Sequence, residues 1–161
     1  MSFVLVEGVT DRIALEAVAR RLGLGLGGIE IVPIGGAQAI RRAAAEHDGE
    51  RFVGLCDAGE ERYFRRVLGE ATYVCDRDLE DELIRPLGAD RVQQVVAAQG
   101  ELETFRNFQN QVYWRGRPVE AQLRRWLQNG GRYLRYPPRL VEALEPHEVP
   151  APLAHVLAAA A

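Results

Sequence analysis

Short, predominantly apolar runs alternate along the first half of the chain with longer segments whose apolar residues recur every three or four positions. Residues 3–6, 29–34, 52–56 and 71–75 are the short runs, rich in Val, Ile, Phe and Tyr. They lack a strict apolar/polar alternation, which suits strands covered on both faces. Between the first two, Ile13, Leu15, Val18 and Leu22 stand at helical spacing, with Thr10 or Asp11 available as N-cap and Gly23 as the stop. Residues 37–46 and 60–68 have helical composition. Strand and helix in alternation predict a four-stranded parallel sheet flanked by helices, joined by right-handed crossovers. After Asp78 the pattern is helical only, with breaks expected at 86–88, 116–118, 130–131 and 137–138. The expected organisation is an α/β core over residues 1–85 and an all-helical C-terminal extension over 86–161. At 161 residues the two parts suit one compact domain.

In an open parallel sheet, ligands gather beyond the carboxyl ends of the strands, so the residues after each strand carry the most information. Here they are acids. Glu7 and Asp11 follow the first run, Asp57 the third, with Glu60 and Glu61 close behind, and Asp76, Asp78, Glu80, Asp81 and Glu82 the fourth. Gly8 supplies a turn that can return Asp11 towards Glu7. Hard oxygen donors collected from several strand ends suit Mg²⁺ or Mn²⁺, which take carboxylates, water and substrate phosphate. The plainer alternative is that Asp11, Asp78 and Glu80 only cap helices and complement their dipoles.

These residues also carry a resemblance. The segment Val4-Leu5-Val6-Glu7-Gly8-Val9-Thr10-Asp11 resembles the opening motif of TOPRIM domains. Val32-Pro33-Ile34-Gly35-Gly36 is similar to the second strand and glycine turn of the OLD-family version, and Asp78-Leu79-Glu80-Asp81-Glu82-Leu83 to its later acidic element. The resemblance spans about residues 3–85. It implies a TOPRIM-like, Rossmann-like fold and one or two Mg²⁺ or Mn²⁺ ions serving phosphodiester cleavage of DNA. Carried over, Glu7, Asp11 and Asp57 are the catalytic set, and Asp78 and Glu80 join them as metal ligands. The usual third-strand Asp-x-Asp is replaced by Asp57-Ala58-Gly59, so one ligand is missing unless Glu60 or Glu61 fills the gap. A catalytically weakened module that binds nucleic acid or a protein partner is therefore the alternative, and a hydrolase or nucleotidyl transferase acting on small phosphoesters is a third reading. OLD proteins join this module to an ATPase. No Gly-rich Walker loop is found here, so nucleotide hydrolysis would need a partner chain.

Charge and composition refine this picture only slightly. Residues 1–85 hold 16 acids against 11 arginines, and residues 86–161 hold 7 against 9. The acidic half fits a cation site, and the mildly basic half could face an anion. There, Arg106, Arg115, Arg117 and Arg124, interleaved with Tyr113, Trp114 and Trp126, are the candidate nucleic-acid contacts. The competing reading has Phe105, Phe108, Trp114, Leu123, Trp126 and Leu127 anchoring a helical cap while the arginines stay solvated. The five tyrosines are expected to be packing residues. The chain has no Lys, which excludes a catalytic lysine, and Ser2 is its sole Ser, which argues against serine-nucleophile chemistry. Cys56 and Cys75 fall inside strands without zinc-ligand spacing, as reduced core thiols would. No secretory or membrane segment is visible, so a cytoplasmic location is expected. Oligomeric state is not legible.

Overall fold

The computed structural model describes residues 1–161. Four strands, β1 (Ser2–Val6), β2 (Ile29–Pro33), β3 (Arg51–Asp57) and β4 (Thr72–Cys75), form one sheet in the order β2-β1-β3-β4. Every pairing is parallel, with Val6 opposite Pro33 and Leu55. The parallel α/β architecture expected from the alternating pattern is the one observed.

The pleat explains why the strands are apolar throughout. On β1, Val4 and Val6 point to one face with Val53, Leu55 and Cys75, while Phe3 and Leu5 point to the other with Cys56. The second face is covered by α2 (Ile40–Ala45) and α3 (Glu61–Leu68), through Ile40, Ala43 and Phe64. The first face is covered by α1 (Val9–Leu22) and by helices from the second half of the chain. Both faces are dry, so an alternating pattern would have buried unpaired polar groups.

The second half contributes α4 (Leu79–Ala98), α5 (Leu102–Gln109), α6 (Val119–Leu127), α7 (Arg132–Ala143) and α8 (Ala151–Ala160). Helix α8 lies on β1, β3 and β4, and α7 packs along α1. One continuous hydrophobic core therefore runs from the sheet into the helices. Its aromatic centre is Trp126, edge-on to Phe105 at 5.4 Å and to Tyr136 at 5.6 Å. Phe105, Phe108, Leu123, Trp126 and Leu127 are buried, and Trp114 packs partly buried against the same core, as the cap reading requires. Arg91 adds a polar strap, donating to both oxygens of Glu148 at 2.8 and 3.0 Å and to the Ala143 carbonyl.

Two local expectations need correction, the cap of α1 and the break at 137–138. The N-cap of α1 is Gly8, two residues before Thr10, and Asp11 sits in the first turn and accepts the Gly8 N–H at 3.0 Å. The break expected at 86–88 is present: Gly88, at φ 76° and ψ 160°, is non-helical and divides α4 into two helical stretches at a kink. At 137–138 there is no break, since α7 runs through both prolines. Their missing N–H groups would have met the carbonyls of residues 133 and 134. Tyr133 and Leu134 are exposed, so water can serve those carbonyls.

No helix is long and apolar enough to cross a membrane. Cys56 and Cys75 are free and buried, as expected of core thiols. Burial, followed by the nearby Asp57, pushes the Cys56 thiol up to about 12, and burial raises Cys75 as well.

A candidate acidic site at the strand ends

The carboxyl ends of β1 and β3 and the start of α4 border one concave space of about 470 Å³. Glu7, Asp11, Asp57 and Glu80 line it, together with Gly8, Thr10, Gly35, Gly36, Leu79, Gln128 and Tyr133. Each acid arrives by a different local device. Glu7 and Asp57 stand at strand ends, where the chain leaves the sheet. Asp11 is turned back by its bond to Gly8, and the Gly35 and Gly36 N–H groups brace the same turn by donating to the Glu7 carbonyl at 3.1 and 3.2 Å. Gly36 holds φ at 125°, a conformation open to glycine and strained for other residues.

No lining residue carries positive charge. Burial and mutual repulsion consequently favour the protonated acids. Asp57 is raised from 3.8 to about 7, first by burial and then by Asp11, Asp78, Glu7 and Glu80. Asp11 is raised to about 6 by burial, with its bond to Gly8 opposing and Glu7 and Glu80 adding. Burial also raises Glu7, helped by Glu60, and raises Glu80, with its own backbone N–H opposing, Asp78 adding, and the Gln128 amide and Arg124 opposing. Asp57 itself engages no hydrogen-bond donor in the cap of the short 3-10 turn that follows it.

Asp78 is placed differently from the acids it was grouped with. It is 8% exposed, caps α4 by accepting the Asp81 N–H on Oδ1 at 2.9 Å, and accepts on Oδ2 from Arg124 Nε at 2.7 Å and Gln128 Nε2 at 3.3 Å. It does not line the acidic space. Arg124 is correspondingly engaged with Asp78, closing a second ion-pair contact through Nη2. Arg106, Arg115 and Arg117 are exposed, and each bonds to its own neighbourhood: Gln109, the Asn110 carbonyl and the Tyr113 carbonyl.

Of the two acids considered for the gap after Asp57, Glu61 pairs with Arg65 and lines a separate groove, whereas Glu60 lies close enough to raise Glu7. That separate groove, about 690 Å³, also holds Asp76, Glu82, Arg85 and Glu148. Arg85 meets Asp76, Asp81 and Glu82, and Glu82 accepts the Asp76 N–H at 2.7 Å, so the charges there are largely compensated within the protein. The uncompensated charge is at the smaller site.

Sequence reasoning did not single out Gln128 or Tyr133 for this site. Both come from the end of α6 and the start of α7, about 120 residues from Glu7, and no local signal ties them to it. Tyr113 and Tyr133, at 64% and 42% exposure, are also not the packing residues expected, unlike Tyr136 at 1%.

Hard oxygen donors that converge without a cation fit a divalent metal ion by their chemistry. In the present side-chain arrangement, no three Asp, Glu, His or Cys residues form a group able to hold an ion. Ligation would require rotation of side chains such as the half-exposed Glu7.

Comparison with known proteins adds the remaining findings. Residues 2–46 match the family model described as the overcoming lysogenization defect protein-like TOPRIM domain. No curated protein sequence matches the chain. Among solved structures, the C-terminal region of the Xanthomonas campestris pv. campestris OLD protein aligns with a TM-score of 0.72 at 21% identity, over 99% of this chain and 91% of that one. The C-terminal region of the Burkholderia pseudomallei OLD protein gives 0.67 at 16% identity, over 98% and 94%. At such identities the solved structures establish the fold, which is shared over nearly the whole chain.

Proposed function

We propose that this chain, whose first strands and helix are an OLD-like TOPRIM segment, performs divalent-metal-dependent cleavage of DNA phosphodiesters at the acidic site. The carrying observation is that Glu7, Asp11, Asp57 and Glu80 share one concave space with no cationic side chain among them. Glu7, Asp11 and Asp57 are the catalytic ligand set, and Glu80 completes it from the start of α4. Asp78 acts one step removed: it fastens Arg124 and Gln128, and the Gln128 amide in turn favours charged Glu80. One or two Mg²⁺ or Mn²⁺ ions held here would supply the activated water and stabilise the departing oxygen.

The protein's own part is to line one space with four carboxylates and to supply no competing cation. The Gly35-Gly36 turn fixes the Glu7 backbone, and the Gly8 bond fixes Asp11. A negatively charged backbone would be repelled by the metal-free site, which makes substrate engagement dependent on the ion. Arg106, Arg115 and Arg117 would contact phosphates farther along the strand. A partner chain would supply any ATPase function.

The Asp57-Ala58-Gly59 sequence favours one second reading, a module that binds without cutting. Supercoiled plasmid incubated with Mg²⁺, Mn²⁺ or EDTA separates the two, with a Glu7→Gln, Asp57→Asn double variant alongside. Metal-dependent nicking that the double variant loses supports cleavage. Metal binding by calorimetry without nicking supports the weakened module.

A further inference from the structure

Most aromatic rings of the helical half are occupied by one another. Phe105, Phe108, Trp114, Trp126 and Tyr136 form one chain of ring contacts between 5.1 and 6.5 Å. Tyr136 also donates its hydroxyl to Glu101 at 2.9 Å. Tyr133, one turn earlier on the same helix, shares none of this. Its ring meets no other ring and no guanidinium, its hydroxyl engages no partner, and 42% of it is exposed, yet it lines the acidic space. Tyr113, the other exposed tyrosine, lies under the Arg117 guanidinium at 4.0 Å and does not line that space.

The backbone holds this arrangement. Gly130 and Gly131 both adopt positive φ, 60° and 77°, and swing the chain from α6 into α7. Arg132 is drawn inward, donating Nε to the Trp126 carbonyl at 2.7 Å and lying over the Trp126 ring at 4.2 Å. With residue 132 anchored, residue 133 is directed to the side of the helix that faces Glu7, Asp11, Asp57 and Glu80. The space that the acids line is thus also lined by a neutral amide, Gln128, and an open phenol ring.

We propose that Tyr133 is a positioning residue that stacks on an unpaired nucleobase adjoining the phosphodiester held at the acidic site. The inference rests on the phosphodiesterase reading and specifies the substrate: a single-stranded or locally opened nucleic acid, since a paired base keeps its faces covered by its neighbours. Ionised carboxylates repel a phosphate unless an ion lies between them, and they present no aromatic face for a base to stack on. An uncharged aromatic face serves any base and is sequence-tolerant. The ring, not the hydroxyl, carries the interaction, because the hydroxyl has no partner that would orient it.

The test uses the whole chain with Mn²⁺ on two labelled phosphodiester chains of equal length, oligothymidylate and an abasic tetrahydrofuran chain. Cleavage and fluorescence anisotropy are read on both. Tyr133→Ala is expected to raise KM, and weaken binding, by about tenfold on oligothymidylate with kcat nearly unchanged. On the abasic chain it should change neither, and Tyr133→Phe should behave as wild type on both. Equal losses on the two chains, no loss on either, or a Phe variant as impaired as Ala would each overturn the proposal. If the wild type cuts neither chain, the cleavage reading fails, and anisotropy still decides: a base-dependent loss upholds stacking, and its absence overturns it.

Discussion

Replacing Asp57 by Asn should stabilise the metal-free protein at neutral and alkaline pH. The Asp57 carboxyl is raised from 3.8 to about 7 by burial and by surrounding acids, so its charged form is the one the fold disfavours. For a group raised on folding, the favourable contribution is fully present below the unfolded value and is lost as pH rises through the folded one. The window is thus from about 4 to about 7. The whole shift would correspond to a ceiling of ~4 kcal/mol. Asp57 stays partly open to water and shares its repulsion with Asp11, so about half of that, ~2 kcal/mol, is expected at pH 8. For a domain of this size the melting temperature should rise by about 4 to 8 °C. Nothing offsets the gain, because Asp57 accepts no capping bond that an amide would forfeit. Thermal unfolding of both proteins in EDTA at pH 8 and pH 4 reads the effect, which should nearly vanish at the lower pH. Added Mn²⁺ should raise the melting temperature of the wild type and leave that of the variant almost unmoved, since an ion stabilises only the form that binds it. A variant less stable than wild type at pH 8 in EDTA would refute the reasoning and make Asp57 a structural residue.

Three other substitutions probe separate parts of the account. Gly54→Ala on β3 would place a methyl 2.5 Å from Leu68 Cδ1 and 2.8 Å from Phe64 Cδ1. Overpacking of that kind should cost about 1 to 3 kcal/mol in urea unfolding, and an unchanged midpoint would mean that α3 yields easily. Asp78→Ala removes the α4 cap and leaves Arg124 without its carboxylate, so a loss of about 2 to 3 kcal/mol is expected with Asp78→Asn milder. If Asp78→Ala instead left stability intact and abolished metal binding, Asp78 would return to the ligand set. Gly59→Asp meets open space and ordinary backbone angles, and it restores the Asp-x-Asp spacing after β3. It should tighten Mn²⁺ binding several-fold by calorimetry. Unchanged affinity would show that position 59 faces away from the acids.

The acids that sequence reasoning could locate were those whose position depends on the backbone alone. A residue at the end of a parallel strand has little choice of direction, and Glu7 and Asp57 followed from the strand pattern. Asp11 followed too, although through a Gly8 cap where Thr10 or Asp11 had been the expected cap. Asp78 and Glu80 were not separable in that way. Both sit at the start of one helix, and what divides them is Arg124, 46 residues from Asp78, whose approach depends on how α6 packs. The same limit applies to the prolines of α7. Pro137-Pro138 breaks a helix whose carbonyls one turn earlier are dry, and here residues 133 and 134 face water. Tyr133 was grouped with core aromatics because composition cannot tell a ring inside the Trp126 cluster from one turned out of it.

The division between Asp78 and Glu80 also bears on what the helical half contributes. Helix α6 and its C-terminal end deliver Arg124 and Gln128 to Asp78, and the Gln128 amide also favours the charged form of Glu80. The next residues in the chain turn through Gly130 and Gly131 and present Tyr133 to the same space. A shift of α6 would therefore disturb a helix cap, the charge on one acid and the position of one ring together. The helices do more than cover the apolar face of the sheet: through these contacts, the arrangement of the acidic site depends on both halves of the chain.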